Sequence, residues 1–301
     1  MIRALFVGTL ALLFATAAFP ASHGSAPLPP LSAFVIAPAD FEPGVKVIDT
    51  TLAVAPGQNG FLRILGRAKL GGKALSAIAL AMVYPDADQA SGDFGTMRTE
   101  VGLKEGRAQF GETWGESLVR GAANGPSKEK LTINKTSVGL RVLIGQSAFR
   151  LPVTFKTSRG LLRMSIGVAQ VDRVLDIIAL VPTEGQLSVS DVNRLITASL
   201  HHLQTAFTVS NAAAPTIRGT AQQGQTLTLD EGAWFGAPST FSYAWSRCDA
   251  TGSACTPIPG ATAKTYAPAA ADSGTTLRVA VTGSNSVSTS QATSPPTVAV
   301  V

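Results

Sequence analysis

The stretch "WSRCDATGSACTPI", Trp245 to Ile258, holds the only two cysteines of the 301 residues, Cys248 and Cys255, and their role decides the fold of the second half of the chain. A zinc site needs four ligands in paired spacings, yet the only histidines are His23, near the amino terminus, and the adjacent His201 and His202. A redox pair is ordinarily Cys-x-x-Cys beside a βαβ unit, whereas six residues intervene here in a strand-rich setting. A nucleophilic cysteine needs a base such as histidine, and this half has none. An even count, the turn formers "DATGSA" between the two and an export signal at the amino terminus all fit a disulfide that fastens a hairpin tip. A loop this short limits its stabilisation to roughly 2–3 kcal/mol.

Around this hairpin nearly every apolar residue sits in a short strand between Gly, Pro, Ser and Asp turns: "TIRGTA", "QTLTLDEGAW", "FSYAWSRC", "KTYAPA", "TTLRVAVTGSN" and "STSQATSPPTVAV". Short strands at such spacing over residues 215–301 predict an all-β sandwich in a single copy. The polar, alanine-rich "TVSNAAAPTI" ahead of it reads as a linker, placed at 206–214.

The ordered set Gly224-x-x-Leu227, Gly232-x-Trp234, "YAWSRCDATGSAC", Ile258-x-Gly260-Ala261-Thr262, Tyr266, "DSGTTLRVAVTGSNSVS" and "SPPTVAV" resembles the Ig-like modules appended to secreted proteins of actinobacteria, from about Ala214 to Val301. The resemblance implies an Ig-like β-sandwich whose core holds Trp234, Trp245, Tyr266 and Leu277, with a short-range Cys248–Cys255 bridge. The pattern departs from antibody-type Ig domains, whose cysteines are far apart in sequence and join the two sheets. Thr276 or Leu277 also stands where a tyrosine corner is expected. Trp245 and Tyr266 have a second reading, as exposed aromatics that stack on sugars.

At the amino terminus, "MIRALFVGTLALLFATAAFPASHGSAPLPP" puts Arg3 before an apolar run from Ala4 to about Phe19, followed by small residues and prolines, the layout of a secretory signal peptide. The run of about 16 residues falls short of the roughly 20 that span a bilayer, so cleavage between Ala21 and Ala26 is expected, removing residues 1–26. No cysteine near the cut offers a lipid attachment point, and the C-terminal "TSPPTVAVV" carries no stop-transfer pattern. The protein expected is secreted or associated with the cell envelope, without stable membrane insertion. Its formal charge falls from +5 to +4 once Arg3 is removed. The densest basic group is "PSKEKLTINK", where Glu129 interrupts Lys128, Lys130 and Lys135; it reads as a solvated loop, and no nucleic-acid partner is expected. A charged fraction of only 14% suits a strand- and turn-rich exported protein.

Residues 27–205 alternate strand and helix signals. "GVKVIDTTLAVA" and "GFLRILGRAKL" read as two strands broken at "PGQNG", and "ALSAIALAMVYP" as a third that stops at Pro85. In "DADQASGDFGTMRTEVGL", Ala87, Ala90, Phe94, Met97 and Val101 recur at steps of three or four, which predicts a helix starting near Asp86. "KLTINKTSVG" is a further strand, and "RVLIGQSAFRLPVTFKTSRGLLRMSIGVAQVDRVLDIIALV" predicts a three-strand meander with turns near Ser158–Gly160 and Gln170–Arg173. "LSVSDVNRLITASLHHLQTAF" closes the domain with a helix capped by Ser190, its Val192, Leu195, Ile196, Ser199 and Leu203 on one face. The fold class expected is α+β, an antiparallel sheet with helices on one face. The layout across Leu31 to Leu203 is similar to that of exported sensor-like and PsbP-like domains of bacteria. That resemblance implies an antiparallel sheet packed against helices, in families where many members have no known catalytic activity.

A search for chemistry finds no Gly-x-Ser-x-Gly, phosphate loop, His-Glu-x-x-His or dinucleotide fingerprint after a strand. Asp86, Asp88 and Asp93 read either as helix-capping acids or as calcium ligands, without the alternation and terminal Glu of an EF-hand loop. His201 and His202 are neighbours that point to different sides of a helix. Asn134 heads a glycosylation sequon, "NKT". Glu100, Glu105, Glu112 and Glu116 are the carboxylates for a glycosidase-type pair; Glu112 and Glu116 flank Trp114 on one helix face, where a solvated edge is the competing reading. No catalytic, cofactor-binding or metal residue is assigned. The function expected is that of an exported non-catalytic protein that binds a cell-envelope polymer or a surface protein, with the Ig-like module for adhesion or spacing. The alternatives are a secreted carbohydrate-active hydrolase with an accessory Ig-like domain, and an apolar-ligand carrier with a deep cavity between sheet and helix.

Overall fold

The computed structural model describes residues 30–55, 58–109, 133–139, 141–144, 146–157, 160–182 and 186–301, and side chains outside 50–59, 133–136 and 157. The segment read as a signal peptide, 1–26, lies outside the described residues, as do Glu112, Trp114, Glu116, Lys128, Glu129 and Lys130. The described chain divides into two compact units, 30–204 and 205–301, each built mainly of antiparallel sheet.

The N-terminal unit contains β1 (Lys46–Ala55), β2 (Gln58–Leu70), β3 (Lys73–Val83), helix α1 (Ala87–Glu100), β4 (Ile133–Val138), β5 (Val142–Leu143), β6 (Ala148–Thr157), β7 (Gly160–Val171), β8 (Val174–Pro182) and most of helix α2 (Val189–Ala206). Its strands form one antiparallel sheet in the order β1-β2-β3-β8-β7-β6-β4, with β5 also paired to β6. Turn chemistry sets the hairpins. Gly71 and Gly72, with φ of 56° and 73°, supply the two left-handed positions of the two-residue β2–β3 turn. Asp172, at φ 51°, opens the β7–β8 turn, a conformation that Asp tolerates better than most side chains. Asp86 caps α1 by accepting from the Gln89 N–H at 2.9 Å.

The expected meander is β6-β7-β8, but its last strand lies in the middle of the sheet against β3, some 90 residues away in sequence. Every residue from Val174 to Leu180 is buried, so β8 is covered on both faces. The covering elements differ. Ala90, Phe94 and Val101, at and just beyond α1, join Leu62, Leu80, Met82, Phe149, Leu151, Val168, Leu175 and Ile177 in one apolar cluster. The alternate residues face α2: a Cβ on Gly167 would stand 2.5 Å from Ile196, and Ser199 donates a hydrogen bond to Asp176. The two helices therefore cover opposite faces, which corrects the expectation of helices on one face; the small residues Ala77, Ala79, Ala81, Gly167 and Ala169 give α2 its bed.

Two smaller expectations change with it. Ser188, not Ser190, caps α2, accepting from the Asp191 N–H at 3.0 Å while its hydroxyl donates to the Asp191 carboxylate at 2.6 Å. The segment 31–41 contributes two short 3-10 turns, with Phe34, Val35 and Ile36 buried. Arg63 of β2 fixes this segment, binding the Ile36 carbonyl at 3.2 Å and the Asp49 carboxylate through two bonds of 2.8 Å.

The C-terminal unit contains β9 (Ser210–Ala213), β10 (Thr216–Arg218), β11 (Leu227–Asp230), β12 (Ala233–Phe235), β13 (Thr240–Cys248), β14 (Cys255–Pro257), β15 (Thr265–Tyr266), β16 (Thr276–Ser284) and β17 (Thr289–Thr293). They form a four-stranded sheet β14-β13-β16-β17, a three-stranded sheet β10-β11-β15 and the pair β12-β9. Leu227 and Leu229 of β11 share one core with Trp245 of β13 and Leu277, Val279 and Val281 of β16. The linker read at 206–214 contains β9, whose pairing with β12 explains the Gly-x-Trp motif: Gly232 sits at φ 77°, where a Cβ would stand 2.1 Å from the Ala213 carbonyl.

Candidate functional site

In the C-terminal unit the chemistry of the cysteine hairpin is structural. Cys248 and Cys255 are direct cross-strand partners in β13–β14 and form a disulfide. Asp249 organises the loop between them, accepting from the N–H groups of Thr251 and Ser253, both at 3.0 Å, and from the Thr251 hydroxyl at 2.7 Å. The Ser253 N–H foremost, then the Thr251 hydroxyl, hold its carboxyl down at about 2. This Asx-type loop escaped the sequence reading, although an Asp directly after Cys248 in a Gly- and Ser-rich turn was its signal.

Behind the hairpin, Trp245 is fully buried, stacks on Tyr266 with ring centroids 5.4 Å apart, and donates its indole N–H to the Ala263 carbonyl at 2.9 Å. The Tyr266 hydroxyl donates to Asp272 at 2.8 Å, and Arg247 grips the same carboxylate at 2.7 Å. Burial alone would raise the Asp272 carboxyl; the Ala269 N–H, Tyr266 and Arg247 outweigh it and hold it below its ordinary value. Burial, followed by the hydrogen bond to Asp272, raises the Tyr266 phenol to about 12. Trp234 is half-buried, its N–H donating to the Glu231 carbonyl at 2.8 Å, and Leu277 is fully buried. Each polar group of this cluster is thus bonded within the unit.

The N-terminal unit holds a different arrangement under α2. Asp176 of β8 is fully buried, accepts from the Ser199 hydroxyl through Oδ2, and has no partner for Oδ1. Burial pushes its carboxyl up to about 7 against the lowering by Ser199 and the Ile177 N–H. On the same sheet face, Arg150 of β6 is 8% exposed and its Nε has no partner; burial lowers its affinity for the proton. Asn193 of α2 also has a buried, unpartnered Oδ1. The register places these groups over small side chains: Asp176 pairs with Ala81 and Ala169, Ala169 with Ala148, and Arg150 with Gly167. The sequence reading missed all three polar residues, although an Asp inside "RVLDIIALV" and an Arg inside "AFRLPV" signal charge placed in an apolar run.

The structure places the residues singled out from sequence apart from this site. Asp86 is a helix cap, Asp88 is exposed in the first turn of α1, and Glu100 and Glu105 are exposed. His202 meets Asp40 at 3.0 Å while His201 is exposed. Among the described residues no group of three or more His, Cys, Asp or Glu is placed to hold a metal ion, and no helix is long and apolar enough to cross a membrane.

Neither family models nor curated proteins match the chain. Among solved structures, the extracellular domain of PknH from Mycobacterium tuberculosis is similar to it over 60% of this chain and 99% of that one, at 12% identity and a TM-score of 0.34.

Proposed function

We propose that the chain acts as an exported, non-catalytic binding protein, with an Ig-like sandwich at residues 215–301 serving adhesion or spacing and the N-terminal unit providing recognition. The observation that carries this reading is the Cys248–Cys255 disulfide, set beside a cluster in which Trp245, Tyr266, Arg247 and Asp272 spend their polar groups on bonds within the unit. Disulfides persist in oxidising compartments, which accords with the signal-like amino terminus. A four-stranded and a three-stranded sheet sharing one apolar core support the sandwich. The partner is a cell-envelope polymer or a surface protein.

The test is a sedimentation assay of the chain lacking residues 1–26 with insoluble cell-wall polysaccharide and peptidoglycan, run beside a panel of polysaccharide, peptide and ester substrates. Saturable co-sedimentation without product formation is expected. Turnover of any panel member would overturn the non-catalytic reading, and absence of binding to either polymer would leave a surface protein as the partner to be captured by cross-linking on intact cells.

A further inference from the structure

Asp176 is an acid where a charge is not solvated. It lies on β8, which is paired along both edges to β3 and β7, and it is 0% exposed. Its polar contacts are neutral: the Ser199 hydroxyl donates to Oδ2, the Ile177 N–H lies against the carboxyl, and Oδ1 has no partner. An ionised carboxylate in that setting loses its hydration and gains no cation, so the closed structure holds the neutral acid.

The charged groups on the surrounding elements are placed elsewhere. Across the strands Asp176 faces Ala81 of β3 and Ala169 of β7, and the positions that flank these on the same face are Ala79, Val83, Gly167 and Val171, none of them charged. Lys73 and Arg163 stand at the far ends of the same two strands. Arg63 of β2 is two strands away and bonded to Asp49, and Arg150 of β6 is two strands away on the other side, a separation of about 10 Å at the usual strand spacing. On α2, Asp191 lies at the β2–β3 turn, Arg194 and His202 reach Asp40 of the 31–41 segment, and His201 is exposed.

Strand β8 cannot bring its carboxyl to water without breaking two ladders of hydrogen bonds, whereas α2 covers it through side-chain contacts. Those contacts rest on a shallow bed, with Ile196 against Gly167 and Ser199 against Asp176, and Asn193 of α2 adds a buried Oδ1 without a partner. A helix that lies on small side chains and an unpartnered carboxyl opens at lower cost than the strands beneath it. We infer that α2 is a pH-released cover: as the helix lifts from the β3–β8–β7 face, Asp176 gives its proton to solvent and its carboxylate is hydrated in the gap, and it takes the proton back when the helix closes. The direction of titration agrees, since burial raises the carboxyl from 3.8 to about 7; the helix is held most firmly in acid and is released as pH rises through 7. This device goes beyond the binding reading and does not depend on it.

Hydrogen–deuterium exchange of the whole chain at pH 5 and pH 8, read by mass spectrometry and corrected for the intrinsic exchange rate, tests it. Peptides of α2 are expected to be less protected than those of β8 at both pH values. Their opening equilibrium is expected to rise by roughly 50- to 100-fold between the two, the factor that follows from a carboxyl titrating near 7 when closed and near 3.8 when open. In Asp176→Asn that rise should disappear; should this variant not fold, Asp176→Leu, similar in shape and unable to titrate, takes its place. Equal protection of α2 and β8 at each pH, an α2 opening that does not change with pH, or a rise that survives in either variant overturns the inference.

Discussion

In the C-terminal unit the fully buried carboxylate, Asp272, receives hydrogen bonds from Tyr266, Arg247 and the Ala269 N–H, while in the N-terminal unit the fully buried Asp176 is bonded by Ser199 through one oxygen and keeps the other unpartnered. Among the cations, Arg247 is ion-paired to Asp272, whereas Arg150 of the N-terminal unit and Arg278 of the C-terminal unit each keep a buried Nε without a partner. Buried polar groups are normally satisfied, and the exceptions concentrate where a protein binds or switches. The contrast teaches that the Trp245–Tyr266–Asp272–Arg247 cluster is closed upon itself, and that the N-terminal unit carries uncompensated polarity under α2.

The strongest way to break this comparison is Trp245→Ala. It removes the largest fully buried side chain among the described residues along with its stacking on Tyr266 and its bond to Ala263, and is expected to cost about 3–5 kcal/mol. In denaturant titrations the transition of the C-terminal unit should move and that of the N-terminal unit should not; a joint shift would show that the two do not unfold separately.

Next in size is the response to pH, in which the units should drift in opposite directions. The folded value of Asp176, about 7, lies above its ordinary 3.8, so its contribution is complete below about pH 4 and is lost as pH rises through 7. That weakens the N-terminal unit by up to about 4 kcal/mol across this window. Asp272 is depressed, so its contribution is present above pH 3.8 and disappears as pH falls through its lower folded value. Unfolding curves between pH 3 and pH 8 should show the N-terminal transition weakening upward and the C-terminal one weakening downward. In Asp176→Asn the first slope should vanish; a slope that persists places the titration on another group.

Reduction of Cys248–Cys255 is expected to cost the C-terminal unit roughly 2–3 kcal/mol, given its short loop, and to leave the N-terminal transition in place. Calorimetry with and without a reductant measures it. The smallest effect belongs to Asp86→Ala, which removes the cap of α1 and should destabilise only the N-terminal unit, by about 1 kcal/mol. Restoration by Asp86→Ser would confirm that capping, rather than charge, is at stake.

Much of this architecture was legible in the sequence because it rests on neighbours along the chain. Apolar steps of three and four mark α1 and the buried face of α2, whose Val192, Leu195, Ile196, Ser199 and Leu203 are all buried in the structure. Gly and Asp turns divide β6, β7 and β8, and an even cysteine count in a turn-rich hairpin marks the disulfide. The candidate site was not legible in this way. Arg150, Gly167, Asp176 and Ser199 lie on four different elements, and each is unremarkable among its sequence neighbours apart from a charge in an apolar run.

The sequence by itself determined the elements, their punctuation and the covalent staple, since propensity, capping and turn geometry act over a few residues. Only the tertiary structure decided that β8 inserts beside β3, that α1 and α2 cover opposite faces, and that β9 leaves the linker to pair with β12. Periodicity states which side of a helix is apolar, but the sheet face that helix covers depends on pairings between residues far apart in the chain. The same pairings bring Arg150 beside Gly167 and bury its Nε without a partner.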